Sequence, residues 1–192
     1  MLKNAQYIED HNIIFDDKNS FKKGKKAQVG FDVSIKSVYK QYYPGLILKN
    51  KTFVPQYIKI PSKEITYPYT EHLGEEKPIT FEGWYLPKGS YIISVNEGCK
   101  FGPNDTGYYI QRSSLNRSFA TIVSSLWDPG FTTQDEEGIN TPTLRLNVDT
   151  EEGLYLEKDA RVAQLIVCNN EDTELYGTKD SQFQGGRRVS SK

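Results

Sequence analysis

The chain has 192 residues, with 24 Lys and Arg against 25 Asp and Glu, for a formal net charge of −1. A global basic surface for nucleic acid is excluded, so any anion site must be local. With only two cysteines (Cys99, Cys168) and two histidines (His11, His72), none at metal-ligand spacing, the chain cannot build a zinc deaminase centre or support a serine–histidine triad.

In chain order, Leu2 to His11 predicts a short helix, followed by the apolar Ile13-Ile14-Phe15. Asp16 to Gln28 is lysine-rich and reads as a solvated loop. Phe31-Asp32-Val33-Ser34-Ile35 alternates apolar and polar residues, as a half-buried strand does. Tyr42 to Pro87 carries Pro44, Pro55, Pro61, Pro68, Pro78 and Pro87, a spacing that breaks helices and suits short strands joined by turns. Leu86 to Ile93 reads as a turn and a strand, and Gly98 to Gly107 as a turn-rich connection.

Gly107 to Phe131 organises the rest. It holds a basic, hydroxyl-rich turn (Arg112, Ser113, Ser114, then Arg117), a β-rich run from Thr121 to Trp127, and an acidic turn, Asp128-Pro129-Gly130-Phe131. Arginine forks and serine hydroxyls suit phosphate oxygens, although a polar turn capping a strand would have the same composition. Asp128 can polarise a water or merely start a turn. Phe131 can cover a sugar or fill a core. After the polar run Thr132 to Asn140, strands are predicted at Thr143–Val148, Leu154–Leu156 and Arg161–Val167. Residues 1–176 therefore read as one all-β domain, a distorted barrel or jelly roll, and 177–192 as a flexible arm. Mean hydropathy is −0.63 and no apolar run approaches a membrane span. With no signal-peptide pattern either, a cytoplasmic protein without membrane partners is expected.

Arg112-Ser113-Ser114-Leu115-Asn116-Arg117 followed by Trp127-Asp128-Pro129-Gly130-Phe131 resembles the motifs of the dCTP deaminase and dUTPase superfamily. Gly30-Phe31-Asp32-Val33, Arg161-Val162-Ala163-Gln164-Leu165-Ile166-Val167 and Ser181-Gln182-Phe183-Gln184-Gly185 are similar to its other motifs, in the same order. The resemblance implies a homotrimer with sites between chains and a deoxynucleoside triphosphate substrate, expected to be a pyrimidine nucleotide. Mg²⁺ would be carried on the substrate phosphates. It also implies that Arg112, Ser113, Ser114 and Gln164 bind phosphate, with Ser113 and Arg117 close to the chemistry. Asp128 would orient water and Phe131 would stack on the sugar. Gln182, Phe183, Gln184 and Arg187 would belong to a closing arm, and Asp32 would shape the barrel.

One departure bears on the reaction. The deaminase branch carries a Glu in the strand after the acidic turn, and here that position falls on Arg145. Arginine cannot act as a base near neutrality. The expectation is therefore a pyrophosphatase that releases a nucleoside monophosphate. The alternatives are a deaminase with a relocated carboxylate, from Glu136 or Glu137, and a non-catalytic nucleotide-binding or protein-interaction member of the family.

Overall fold

The computed structural model describes residues 1–15, 25–27, 29–53, 55–69, 71, 74, 77–135, 138–139 and 142–169. Helix α1 (Ala5–Asp10) is followed by the short strands β1 (Ile14–Phe15) and β2 (Lys25–Lys26). Next come the long β3 (Phe31–Tyr43), a hairpin of β4 (Leu46–Leu48) and β5 (Lys51–Phe53), β6 (Gln56–Ile60) and β7 (Lys63–Tyr67). β8 (Ile79–Leu86), β9 (Gly89–Val95), β10 (Gly98–Cys99) and β11 (Asp105–Gln111) lead to helix α2 (Ser113–Arg117). The chain then forms β12 (Ala120–Val123), β13 (Gln134–Asp135), β14 (Gly138–Ile139), β15 (Thr143–Val148), β16 (Leu154–Glu157) and β17 (Arg161–Asn169).

The predicted all-β architecture is present. Its main sheet runs β11-β17-β3-β9-β15-β12. The path closes on itself: Gly107 of β11 bridges Trp127, beyond β12, and the Tyr109 N–H donates to Ser124 Oγ at 3.1 Å. A closed barrel leaves no edge along that seam. Closure depends on β3, which changes neighbours along its length. Its first residues pair with β17, Ile35–Tyr39 with β9 and Val38–Tyr43 with β6, and a bulge lies between Ile35 and Ser37. Such a bulge bends a strand from one sheet face toward the next. Alternating apolar residues fill the interior, among them Val33, Ile93, Leu144, Leu146, Leu165 and Val167, all essentially without solvent contact. A second sheet, β16-β8-β7, lies outside the main sheet.

Several expectations shift. The N-terminal helix is one and a half turns, started by Asn4, whose side chain accepts from the Tyr7 N–H at 2.9 Å. Lys25 and Lys26, expected in a loop, pair with the start of β3. β11 begins inside the segment expected to be a turn-rich connection. The basic turn is the short helix α2, because Leu115 is buried and pulls one helical turn onto the barrel. The segment between Phe131 and Thr143, expected to be a polar run, contains a two-stranded pair, β13–β14. Among the described residues no helix is long and apolar enough to cross a membrane.

Candidate active site

Three of the four predicted phosphate residues, Arg112, Ser113 and Gln164, meet where β3 and β17 begin and β11 ends. In the β3-β17-β11 register Asp32 stands opposite Gln164, and Gln164 opposite Ile110, so their side chains share one face. Gly30 permits this close pairing. Its φ is +79°, and an added Cβ would lie 2.2 Å from the Leu165 carbonyl oxygen. Two residues past Asp32, Ser34 donates its N–H and its hydroxyl to the buried Glu97, both at 2.9 Å, which fixes this end of β3.

Asp32 is itself buried and acts as the hub. Its Oδ2 forms ion pairs with Arg112, 3.2 Å from Nε, and Arg161, 3.5 Å from Nη1, while Oδ1 accepts from Gln164 Nε2 at 3.3 Å. Arg161 and Gln164 are three apart, so strict strand alternation would put them on opposite faces. A bulge between Arg161 and Ala163 brings both onto Asp32. Two guanidiniums against one carboxylate leave a surplus positive charge. Each arginine side chain is about one-third exposed, 33% and 35%, with donors left over.

These groups line a cleft of about 660 Å³ with Ser113 and Asn116 of α2. The Arg112 N–H donates to the Val162 carbonyl at 3.1 Å, which seats the start of α2 on β17. The first N–H groups of a helix lack intrahelical acceptors, and no side chain caps those of α2. Backbone donors, a serine hydroxyl and two arginines about one-third exposed are the chemistry that suits a multiply charged oxyanion.

Of the residues expected from sequence, Arg112, Ser113 and Gln164 line this cleft together. Ser114 and Arg117 sit on α2, exposed, outside the lining. Arg161 was not singled out, although it opens a strand motif that was. Asp32, expected to shape the barrel, also holds the arginines.

Asp128 lies elsewhere. The segment that carries it runs antiparallel to β11 and meets it at Gly107, five residues before Arg112. At about 3.4 Å per residue, this puts Asp128 roughly 17 Å from the cleft in the same chain. Its side chain is exposed, in a turn closed by the Phe131 N–H donating to the Asp128 carbonyl at 3.1 Å. This end is locked by Thr106 Oγ1 donating to the Trp127 carbonyl at 2.6 Å. It is also locked by the Tyr7 hydroxyl, which donates to the buried Asp105 at 3.0 Å. The sugar-stacking expectation for Phe131 is corrected: the residue is 3% exposed, a core side chain with its ring 4.6 Å from that of Trp127. A ring packed this way has no open face to offer a sugar.

Arg145 is exposed in the middle of β15, with Val123 and Ile92 directly opposite on its two neighbouring strands. Neither neighbour supplies a carboxylate to replace the missing Glu. Glu136 and Glu137, and the arm residues Gln182, Phe183, Gln184 and Arg187, lie outside the described residues. Among the described residues no three His, Cys, Asp or Glu side chains cluster to hold a metal ion. Cys99 is buried and its thiol is pushed up to about 12, chiefly by burial, which makes it a core residue rather than a nucleophile.

The fold is a closed β-barrel with a cationic, carboxylate-braced cleft at its strand ends. A family model described as dCTP deaminase-like matches residues 5–169, and the chain belongs to that family. It is 29% identical over 160 residues to the deoxyuridine 5'-triphosphate nucleotidohydrolase of Methanocaldococcus jannaschii, covering 82% of this chain and 86% of the relative. It is 27% identical over 138 residues to a probable enzyme of the same name from Archaeoglobus fulgidus, covering 71% and 68%. The crystal structure of 2'-deoxycytidine 5'-triphosphate deaminase from Agrobacterium tumefaciens superposes with a TM-score of 0.54 at 12% identity. That match spans 86% of this chain and 47% of the other, and it speaks for the fold.

Proposed function

We propose that the protein hydrolyses a deoxynucleoside triphosphate, most simply dUTP, to the monophosphate and pyrophosphate. The observation that carries this reading is the Asp32-braced pair of arginines beside Ser113, in a chain whose relatives are named as dUTP nucleotidohydrolases. Arg112, Ser113, Arg161 and Gln164 take the phosphate oxygens of a substrate that arrives as its Mg²⁺ complex. Such a metal ion typically takes few protein ligands when the phosphates supply the rest. Asp128 accepts a hydrogen bond from the attacking water. As that oxygen bonds to the α-phosphorus its proton passes to Asp128, the bond from the α-phosphorus to the bridging oxygen breaks with its electron pair on that oxygen, and pyrophosphate leaves.

The roughly 17 Å between Asp128 and the cleft supports a site shared between copies, with Asp128 supplied by a neighbour in a homotrimer. Arg117, exposed on α2, is then free to contribute across the same boundary. The face of β15 supports hydrolysis over deamination, because Arg145 stands where a base is needed and has Val123 and Ile92 beside it.

Product analysis with Mg²⁺ against dUTP, dCTP, dTTP and dATP tests the reading. Monophosphate without ammonia is expected, and ammonia from dCTP would overturn it. Asp128→Asn is expected to lower turnover by a factor of about 10²–10⁴ while nucleotide still binds. Full turnover in that variant would remove Asp128 from the chemistry.

A further inference from the structure

Among the described residues the β4–β5 hairpin pairs with no other strand, and all six of its residues are exposed. Consecutive residues of a strand point to opposite faces, so exposure of Leu46, Ile47 and Leu48 leaves both faces of the ribbon wet. Ile47 is 83% exposed, and Tyr42, Tyr43 and Phe53 add three aromatic rings at about half exposure. A bare two-stranded ribbon is marginal in water, and an apolar patch of this kind marks a contact surface. Six large side chains open to this degree approach the roughly 800 Å² per partner that a stable interface buries. The ribbon is also cationic. Between Val33 and Lys63 the chain has six lysines and no acidic residue. It has no arginine there either, the residue that recognition of phosphate backbones favours. Its partner should be aromatic or apolar, and acidic.

The same chain carries such a surface. A cleft of about 840 Å³ is lined by Tyr67, Tyr69, Tyr85, Tyr155 and Phe119. The Tyr155 ring lies 5.0 Å from that of Tyr67, edge-on, and 4.7 Å from that of Tyr85, so the rings form walls rather than a closed stack. Phe119 is 70% exposed at φ +51°, a conformation that costs a bulky residue of order 1 kcal/mol and here holds its ring in solvent. The rim carries Glu152, with Asp149 and Glu151 in the same turn; Glu151 is already paired with Lys88. Thr150 donates its hydroxyl to Glu152 and fixes that carboxylate at the cleft.

We propose that the β4–β5 arm of one copy docks in the tyrosine cleft of a second copy. Ile47 and its neighbours lie against the tyrosines, and Lys49 and Lys51 meet the acidic rim. The contact is head-to-tail, the kind that closes a ring when the rotation allows. It rests on the trimeric reading above only in requiring a second copy.

The test uses full-length chains in a Cys168→Ser background, Cys99 being buried. A chain with Ile47→Cys is mixed with a size-tagged chain carrying Tyr69→Cys, both at exposed positions, and treated with a short bismaleimide. Light scattering reports the assembly in parallel. A mixed cross-linked pair is expected, with none when Lys3→Cys replaces Tyr69→Cys. Ile47→Asp is expected to weaken the assembly by at least about tenfold. A trimer without the cross-link would overturn the docking and leave the trimer standing. A monomer at every concentration would overturn both. Co-sedimentation with phosphatidylserine vesicles, lost in Ile47→Asp and without any cross-link, would assign the arm to an anionic lipid surface and overturn the proposal.

Discussion

The barrel buries two aspartates near opposite ends of β11, and they are partnered in different ways. Asp32, near the α2 end, faces two arginines and a glutamine. Asp105, at the other end, receives the neutral Tyr7 hydroxyl. Both carboxylates are withdrawn from water, yet only the first arrangement leaves charge over. Two guanidiniums exceed what one carboxylate neutralises, and the surplus opens on a cleft beside unpaired helix N–H groups. A phenol satisfies a carboxylate and attracts nothing further. The buried acid at Asp32 prepares a site, and the one at Asp105 ties α1 to the barrel.

The largest effect should come from breaking the first arrangement. Asp32→Ala leaves Arg112 and Arg161 without the group that orients them, in a cleft where each is only partly solvated. Discounting for that solvation, a loss of about 2 kcal/mol is expected, or roughly 30-fold in affinity for a non-hydrolysable triphosphate analogue measured by calorimetry. Unchanged affinity in a folded variant would make Asp32 a purely structural residue, as first expected.

A smaller effect separates geometry from charge. Arg161→Lys keeps the cation and loses the planar fork. The Michaelis constant should rise up to about tenfold with little change in turnover, because the lost contact serves ground state and transition state alike. Kinetics identical to the parent would mean that Arg161 contributes only a point charge.

This contrast was partly legible in the sequence. Arg112, Ser113 and Gln164 could be found because they stand at strand ends in recognisable order. Arg161 was hidden by its bulge, since period-two reasoning assigns it to the face opposite Gln164. Phe131 was misread for a related reason: composition marks Asp-Pro-Gly-Phe as a turn but does not say which side chain the turn folds inward. Ten residues stand between Arg117 and Asp128 in the sequence. Because that segment runs antiparallel along β11, they became a separation of nearly a strand's length, and only the pairing at Gly107 and Trp127 reveals it. Asp105 stood in a segment expected to be a turn-rich connection, and its partner Tyr7 lies 98 residues away, beyond the reach of any local pattern.

The smallest effect tests the Asp105 end. Tyr7→Phe removes a hydroxyl from a buried carboxylate and is expected to cost about 1 kcal/mol, a fall of roughly 2–4 °C in melting temperature, with nucleotide kinetics unchanged. The pH dependence identifies the cause. Burial, and then the hydrogen bond and charge of Asp105, raise the Tyr7 phenol above its ordinary value of 10.0. Below pH 10 the phenol is protonated in folded and unfolded chains, and its contribution is complete. As pH rises above 10 the unfolded chain releases the proton first, so that contribution is lost. The stability gap between the parent and Tyr7→Phe should therefore be constant from pH 7 to 9 and narrow above 10 in denaturant titrations. A gap that stays constant through pH 11 would mean that the ring, through packing, ties α1 to the barrel and the hydroxyl does not. A rise in the Michaelis constant would show that the two ends of β11 are coupled.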